Sequence, residues 1–496
     1  MDHGQSFCSR PRRFGKSLAL STLEAIFQGR RDLFKGLAID SMDYDGKPYP
    51  VIHIDFTTCG KDDKAELENW LRQRLLLAGR RNRVELDGTL SRRHVLGSDW
   101  SALRAVRSGG RPGGRVREGD FGPCLRFRGG RNAGGLGNFY QVVKGEEARI
   151  RSAFITGVTK YAKMSVFSRL NNLRDITMHP RYATLFDYTQ EELEENFADY
   201  IARGVASAGM DREAYLERLR RQYDGYCFCD GCETVSNLVS IGNFFDDGGS
   251  RFNNYWIDTG NTQQVMDVAA KIDFTPFRDL QEPLSKSYLG TFDMLSLRGP
   301  VVTGEELMSL LEQTGYLTTS PRTPAGSQLI WLDFPNDEVR GTFTITLLAR
   351  KGIGTQSRLA TLRDLMRASA EDGDVPSLID GIESLFSQIP YELHIKDERY
   401  HHSVFLSFMV ALGARVEGEK SVSTGRVDAV LVMPKHLYVV EFKRDKDAQT
   451  ATSQILERCY GKPYAYLKGL KQVHLVGINV DTRTRQVTVK EEPVAG

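Results

Sequence analysis

Apolar residues dominate two neighbouring stretches between residues 425 and 443 and predict an antiparallel hairpin. Both arms are rich in Val and Leu, and the bend between them carries Pro434, which a tight turn tolerates. If the bend is symmetric about Pro434 and the next residue, Asp428 lies opposite Glu441. Facing residues share one side of a sheet, and Lys443, two positions after Glu441, lies on that side too.

Two carboxylates and one ammonium on one side of a sheet indicate a functional site. Without a cation between them, Asp428 and Glu441 would repel each other. Mg²⁺ takes oxygen ligands and keeps water in its other positions, and such water is a nucleophile that a Lys can orient. The pattern therefore predicts Asp428 and Glu441 as metal ligands, with Lys443 beside them. The alternative is a solvated outer face on which three charges meet by chance.

A second pattern lies near the N-terminus, where a basic run precedes a helix. Residues 10–17 read RPRRFGKS and lead into the helical spacing of residues 18–27. Gly lets backbone amides approach a phosphate, Lys reaches the phosphate oxygens, and Ser can ligate Mg²⁺ at a helix N-terminus. The usual first Gly of this motif is Arg10 here, so a basic helix cap is the alternative. The nucleotide-binding residues predicted by this pattern are Arg13, Phe14, Gly15, Lys16 and Ser17.

The middle of the chain has helical spacing and then turns to short strands. Residues 183–224 are helical in pattern, and an amphipathic helix over 304–314 followed by two short strands predicts a winged-helix-like module. Three cysteines lie close together at Cys227, Cys229 and Cys232. A structural zinc usually takes four ligands in two separated pairs, so the sequence favours small residues at a turn over a zinc site.

Residues 91–138 differ from the rest of the chain in composition. Arg and Gly dominate this stretch, and Lys is absent from it although Lys occurs on either side. Too few apolar residues remain for it to fold alone, which predicts disorder. Three interpretations stay open: an arm that grips a nucleic-acid backbone, a neutral linker, or a reading-frame artefact. The local change in Arg and Lys usage favours the artefact.

Composition narrows the class of protein. The chain has 496 residues, room for two or three domains, and its net charge of +2 gives no general signal for polyanions. Seven cysteines, an odd number spread thinly, fit a reducing compartment. No stretch is apolar enough for a membrane span or a secretory leader. We therefore expect a cytoplasmic protein without a membrane partner, and oligomerisation stays open.

The C-terminal pattern resembles the PD-(D/E)XK nuclease superfamily, in the form that ends AAA-ATPase-like proteins of bacteria. The order of helix, strands, acid-bearing hairpin and helix is kept from residue 389 to the end of the chain. His401 and His402 fit surface positions at the start of the first helix at least as well as positions in the site. The resemblance implies that Asp428 is the first acid of the motif and that Glu441–Lys443 is its E-x-K tripeptide. Gln454 matches the Gln of the following helix, and Glu398 matches the acid of the first helix.

The N-terminal third resembles the P-loop AAA-like domain of the same family, which carries Arg at the first position of its phosphate loop. This resemblance implies ATP binding, and it places Thr156 where such proteins carry a residue that senses the γ-phosphate. Two departures predict impaired hydrolysis: little more than Phe7 and Cys8 precedes the loop, and no strand ending in adjacent acids lies between residues 76 and 139. Residues 51–55 we interpret as a core strand whose Asp55 lies near the nucleotide. The matching segments are residues 10–17, 49–56, 154–160, 170–176 and 223–226.

Together the patterns predict an α/β multidomain protein. It has a P-loop AAA-like domain over residues 1–230, a helical and winged-helix-like middle over 231–375, and a PD-(D/E)XK nuclease-like α/β domain over 376–496. The predicted function is Mg²⁺-dependent hydrolysis of nucleic-acid phosphodiesters, with DNA favoured, linked to an ATP site. Two rivals stay open: a nucleotide-binding regulatory or nucleic-acid-binding protein without catalysis, and a decayed relative with neither activity.

Overall fold

A computed structural model describes most of the chain. The described residues are 4–44, 46–55, 64–82, 143–145, 150–158, 173–256, 263–271, 280, 283–289, 303–389, 398–422, 425–458, 471–481, 483–484 and 487–493. The Arg/Gly-rich stretch 91–138, with the prediction of its disorder, lies outside them.

The described part is a mixed α/β structure. Its α-helices are α1 (Lys16–Phe27), α2 (Lys64–Arg81), α3 (Gln190–Asn196), α4 (Ala198–Ala208), α5 (Arg212–Tyr223), α6 (Leu238–Asp246), α7 (Gln263–Lys271), α8 (Gly304–Thr314), α9 (Asp337–Arg350), α10 (Gln356–Asp372), α11 (Val375–Ser387), α12 (Glu398–Ala411) and α13 (Ala448–Glu457). Its strands are β1 (Gly4–Ser9), β2 (Ser152–Gly157), β3 (Leu173–Asp175), β4 (Leu284–Ser285), β5 (Thr318–Thr319), β6 (Leu329–Ile330), β7 (Leu332–Asp333), β8 (Arg415–Val422), β9 (Gly425–Val432), β10 (His436–Arg444), β11 (Gln472–Val480) and β12 (Val487–Pro493). None of these helices combines the length and the apolar character that crossing a membrane requires.

Strand β1 lies in the centre of a three-stranded parallel sheet. Phe7 stands opposite Ile155 of β2 on one side and opposite Asp175 of β3 on the other. Phe7 and Cys8 are buried, as expected of a strand within a parallel sheet. The strand is longer than the two residues that the sequence predicted, because β2 pairs with its backbone over residues 4–9 and β3 over residues 5–7. The loop before α1 therefore follows a supported strand.

Residues 51–55 do not form the predicted core strand. Ile52 and Ile54 are buried, which accounts for the apolar alternation, but within this stretch only Ile52 makes an isolated bridge. The backbone of Val51 is bonded to a side chain, since the Asn82 amide donates to the Val51 carbonyl at 3.1 Å and accepts from the Val51 N–H at 3.3 Å. Asp55 is half-buried, and its place near a nucleotide stays a prediction.

The middle of the chain follows the predicted helical pattern. Helices α3, α4 and α5 lie within residues 183–224, and α8 has the predicted bounds. Thr303 caps α8, because its hydroxyl accepts the Glu306 N–H while the Glu306 side chain accepts the Thr303 N–H. Gly315, with φ of 88°, ends the helix. Strand β5 then pairs with β7 and β4 with β6, and the winged-helix assignment stays a prediction.

The C-terminal part is built on a five-stranded sheet in the order β12-β11-β10-β9-β8. Strands β10 and β11 are parallel, and α13 forms the crossover that a parallel pair requires. Alternate residues of β10 face opposite sides. Tyr438 and Val440 join a core with helices α9 to α12, while Leu437 and Val439 join a smaller core with Ile455 of α13. Both faces of β10 are therefore covered, which explains its nearly continuous apolar sequence.

The three neighbouring cysteines lie at a turn after α5. Cys229 and Cys232 form a disulfide, with their Cα atoms 5.5 Å apart, a separation that a disulfide accommodates. Cys227 is buried, and its thiol donates to the Cys229 carbonyl at 3.0 Å. The turn agrees with the preferred interpretation of this motif, whereas the disulfide differs from the reduced cysteines that composition led us to expect.

Candidate functional site

The hairpin of β9 and β10 has the register that the sequence predicts. Four residue pairs, the last of them Val440 with Ala429, are placed symmetrically about the bend. The next residues along the two strands are Asp428 and Glu441. Because the register is symmetric, both carboxylates come to the same end of the hairpin.

Glu441 is a buried carboxylate, and the residue is only 2% exposed. Its Oε1 accepts hydrogen bonds from Lys443 Nζ at 2.9 Å and from the Gln454 amide. Within the described part of the chain, its Oε2 is buried and has no hydrogen-bond partner. Burial first, and then the neighbouring Asp428 carboxylate, raise the pKa of Glu441 to about 7, while the Lys443 hydrogen bond opposes that rise. One oxygen of this carboxylate therefore offers an acceptor that no donor occupies.

Asp428 is half-buried and is held from two sides. Its Oδ2 accepts the Phe442 N–H at 2.7 Å, next to Glu441. Its backbone carbonyl is 3.1 Å from Nε2 of His402 on α12, and that nitrogen carries the proton because a carbonyl only accepts. The His402 ring also meets the Phe442 ring edge to face, with the centroids 5.0 Å apart. Helix α12 therefore positions the strand that carries Asp428.

His401 and His402 do not occupy the surface positions that the sequence suggested. His401 is buried and His402 is half-buried against the hairpin. His401 precedes the buried Phe405 by four residues, so the apolar face of the helix includes it. Helical spacing alone would have found His401, while the contact of His402 with Asp428 depends on packing between α12 and the sheet. The side chain of Glu398 lies outside the described part, and its place in the site stays a prediction.

Helix α13 brings Gln454 to the Glu441 carboxylate. The helix begins after Asp447, whose Oδ1 accepts the Thr450 N–H at 2.6 Å. Gly477 of β11 allows the helix to approach closely, because a Cβ at this position would collide with the Ala448 carbonyl oxygen. The missing side chain of Gly477 therefore sets how near Gln454 lies to the sheet.

The donor set at this end of the hairpin fits Mg²⁺. Asp428 and Glu441 supply carboxylate oxygens, which this ion prefers, and the buried Glu441 Oε2 is available to it. Among the described residues, no group of three or more His, Cys, Asp or Glu side chains is gathered. A cation would therefore be held by these two carboxylates together with a backbone carbonyl, such as that of Phe442, and water.

The loop between β1 and α1 turns sharply before the helix. Arg13 and Gly15 have positive φ angles of 66° and 54°, and Gly15 is the N-cap of α1. A Cβ at Gly15 would lie 3.0 Å from the Leu238 side chain, so both the backbone conformation and the space favour glycine. Lys16 is buried, and its Nζ donates to the Arg10 carbonyl at 2.9 Å. The loop thus folds around its own lysine.

Arg10 and Phe14 anchor this loop in the core. Arg10 is only 1% exposed, and its guanidinium lies 4.0 Å from the centroid of the Phe228 ring. The acceptors of its hydrogen bonds are the backbone carbonyls of Ser9, Thr177 and Tyr182. The Phe14 side chain is fully buried against Tyr226. The Phe14 side chain, predicted to bind a nucleotide, is therefore part of the core.

Thr156 and Ser17 differ in their surroundings. Thr156 of β2 is buried, and its hydroxyl donates to the Cys8 carbonyl at 2.7 Å, which ties β2 to β1. Ser17 is exposed in the first turn of α1. The structure thus brings Arg13, Gly15, Lys16 and Ser17 together at the helix N-terminus, while Thr156 lies on the neighbouring strand.

Known proteins resemble the two ends of this chain. Residues 1–93 match the family described as predicted AAA-ATPase, and this range contains the loop from Arg13 to Ser17 but not Thr156. Residues 396–490 match the PD-(D/E)XK nuclease superfamily, and this range contains the whole predicted hairpin site and Gln454. A relative from Azotobacter chroococcum mcd 1, an uncharacterized protein in the vnfD 5′ region, is 29% identical over 503 residues, covering 97% of this chain and 90% of the relative.

These matches confirm the resemblance drawn from the sequence. The chain combines a predicted AAA-ATPase-like segment, residues 1–93, with a segment of the PD-(D/E)XK nuclease superfamily, residues 396–490.

Proposed function

We propose that this protein hydrolyses phosphodiester bonds of nucleic acid, DNA in particular, in a Mg²⁺-dependent reaction at the β9–β10 hairpin. The observation that carries this proposal is the buried Glu441 carboxylate, whose Oε1 takes two donors while its Oε2 lacks one within the described residues. A buried carboxylate without full hydrogen bonding is costly unless a ligand completes it. The superfamily match over residues 396–490 supports the same class of reaction.

Each residue of the site has its own role in the proposed reaction. Asp428 and Glu441 would hold Mg²⁺, which when bound acts as a Lewis acid on a phosphate ester. Lys443 would orient the attacking water, and Gln454 keeps the Glu441 carboxylate in place. Glu398 would complete the site from the start of α12.

We propose further that the N-terminal part binds ATP at the loop from Arg13 to Ser17, with impaired hydrolysis. The N-terminus of α1 and the Lys16 ammonium are the groups that favour a phosphate. The AAA-ATPase match ends at residue 93, and the sequence from there to residue 139 contains no pair of adjacent acids. We propose three domains, over residues 1–230, 231–375 and 376–496, of which the middle one is winged-helix-like. We also propose that Thr156 lies near the γ-phosphate of the bound ATP.

Cleavage of labelled DNA and RNA, single- and double-stranded, tests the nuclease. Glu441→Gln and Lys443→Ala should each lower the Mg²⁺-dependent rate by at least about a hundredfold, because the first removes a proposed ligand of Mg²⁺ and the second the group that would orient the attacking water. The controls Glu457→Gln and Lys435→Ala change exposed residues of the same types and should retain the wild-type rate. Cleavage that survives Glu441→Gln, or needs no divalent cation, would contradict the proposal. Binding of DNA without cleavage would favour a binding module.

Calorimetric titration with ATP tests the second proposal. Lys16→Ala should weaken ATP binding by at least about tenfold, since a charged contact to phosphate is lost, while the neighbouring exposed Arg12→Ala should bind within about threefold of wild type. Phosphate release by the wild-type protein should stay at background. Rapid hydrolysis that depends on Lys16 would refute the expected impairment.

A further inference from the structure

Glu338, in the first turn of α9, is a buried carboxylate that joins two distant segments. It is 1% exposed, and its Oε1 accepts the backbone N–H groups of Tyr255 and Trp256, the latter at 2.6 Å. Its Oε2 accepts the Ser240 hydroxyl at 2.8 Å. One side chain therefore fixes the start of α6 and the segment 255–256 relative to each other, with charge-assisted hydrogen bonds.

The same two segments hold the phosphate loop. The Asn237 side chain, which caps α6, donates to the Arg13 carbonyl at 3.1 Å. The Trp256 indole N–H lies 3.4 Å from the Arg12 carbonyl. Arg13 in turn donates from its guanidinium to the Tyr255 carbonyl at 3.3 Å. The loop is thus supported from outside by groups that Glu338 holds in place.

Asp337, the residue before Glu338, has different partners. It is also buried, but its ion pairs are with Arg340 of its own helix, Arg367 of α10 and Arg221 of α5. Neither the start of α6 nor residues 255–256 are among these partners. Asp337 and Glu338 are therefore a matched pair of buried acids in one helical turn. Only Glu338 contacts the segments that bind the phosphate loop.

We propose that Glu338 is a positioning residue for the phosphate loop, fixing through Asn237 and Trp256 the loop conformation that receives a nucleotide. The inference rests on the proposed ATP binding for its functional consequence, and on geometry alone for its effect on the loop. Removing the carboxylate leaves two backbone N–H groups and a hydroxyl buried without their acceptor. Asn237 and Trp256 should then shift, and the hydrogen bonds that keep Arg13 at a positive φ would weaken.

ATP titration of variants at these two acids is the first arm of the test. Glu338→Ala should raise the dissociation constant for ATP by about tenfold, equivalent to 1.4 kcal/mol. Glu338→Gln keeps an acceptor for Tyr255 and Trp256 and should return the affinity to within about threefold of wild type. Asp337→Asn should lower thermal stability without changing the affinity. If Glu338→Ala does not fold, Ser240→Ala is used instead of it in both experiments, because this variant removes one donor to the same carboxylate.

Amide hydrogen exchange without nucleotide is the second arm. Residues 12–17 should exchange at least about tenfold faster in Glu338→Ala than in wild type and in Asp337→Asn, because opening of the loop becomes easier. Equal exchange and equal affinity in wild type and Glu338→Ala would overturn the inference, as would equal changes in Glu338→Ala and Asp337→Asn. If the wild-type protein does not bind ATP, the proposed nucleotide function fails, while the exchange comparison still decides the role of Glu338.

Discussion

Arg10 shows how one residue can change its meaning between sequence and structure. Its place in the loop is that of the first Gly in the common phosphate motif, and the alternative interpretation of its run was a basic helix cap. The guanidinium instead lies in the core, over Phe228 and against three backbone carbonyls. A buried cation that donates to three backbone carbonyls ties the turn after β1 to the segments that carry Thr177 and Tyr182.

Arg10→Met should lower the free energy of unfolding by about 3 kcal/mol, because Met fills much of the volume but leaves the three carbonyls without their donor. Urea denaturation measures this change. Arg12→Met, at an exposed position of the same loop, should stay within about 0.5 kcal/mol of wild type. Equal stability of the two variants would show that the Arg10 contacts are energetically unimportant.

Asp187 is a buried carboxylate close to the same loop. Its Oδ1 accepts the Leu238 N–H at 3.1 Å, and within the described residues its Oδ2 has no partner. Burial raises the pKa of Asp187 from 3.8 to about 7, against the opposing effects of the Leu238 N–H, Arg10 and Lys16. The folded state therefore keeps a proton that the unfolded chain releases, so this residue makes stability fall as the pH rises from about 4 to about 7.

Asp187→Asn should stabilise the protein more at pH 8 than at pH 5, by about 2 kcal/mol, because the amide never ionises. Asn also tolerates the positive φ of 72° at this position. Urea denaturation at the two pH values checks the difference, with the exposed Asp43→Asn as a control that should show none. A stabilisation independent of pH would mean that relief of backbone strain, and not ionisation, is the cause.

At the scale of elements, the contact between α13 and β11 controls the candidate nuclease site. Gly477→Ala places a methyl group against the Ala448 carbonyl and the neighbouring helix residues, which should cost about 1–3 kcal/mol. Because the helix must move outward, Gln454 should leave Glu441, and Mg²⁺-dependent cleavage should fall with it. Gly242→Ala, in a helix where a Cβ meets no atom within 4 Å, should leave cleavage unchanged. Equal cleavage in both variants would exclude the helix position as a determinant.

The elements also show what the sequence could and could not predict. The β9–β10 register and the bounds of α8 follow from local patterns, apolar arms symmetric about a short bend and an amphipathic helical spacing, and both agree with the structure. The prediction of a core strand at residues 51–55 was wrong, and a tertiary contact is found at its start, where the Asn82 side chain bonds both backbone groups of Val51. The contacts of His402 and Glu338 join residues far apart in the chain, and no local pattern contains them.

At the scale of the whole molecule, Asp337 of α9 joins segments that are far apart along the chain. Its ion pairs reach α5 on one side and α10 on the other, and Gly413 at the end of α12 lies against its carboxylate. Asp337→Ala leaves the three arginines without their buried partner and should cost about 3 kcal/mol. Calorimetry should then show two unfolding transitions that are further apart than in wild type. Asp364→Ala, which removes an exposed partner of Arg363, should not separate them.

The parallel pairing of β10 with β11 has a consequence for how the candidate site comes into being. Since α13 is the covalent crossover between those strands, Asp428, Glu441, Lys443 and Gln454 all lie in one uninterrupted stretch, 428–454. Its assembly needs no encounter between remote parts of the polypeptide, and contacts between near neighbours form fast. These four residues can therefore come together early in folding, before the β1–α1 loop meets Asn237 and Trp256.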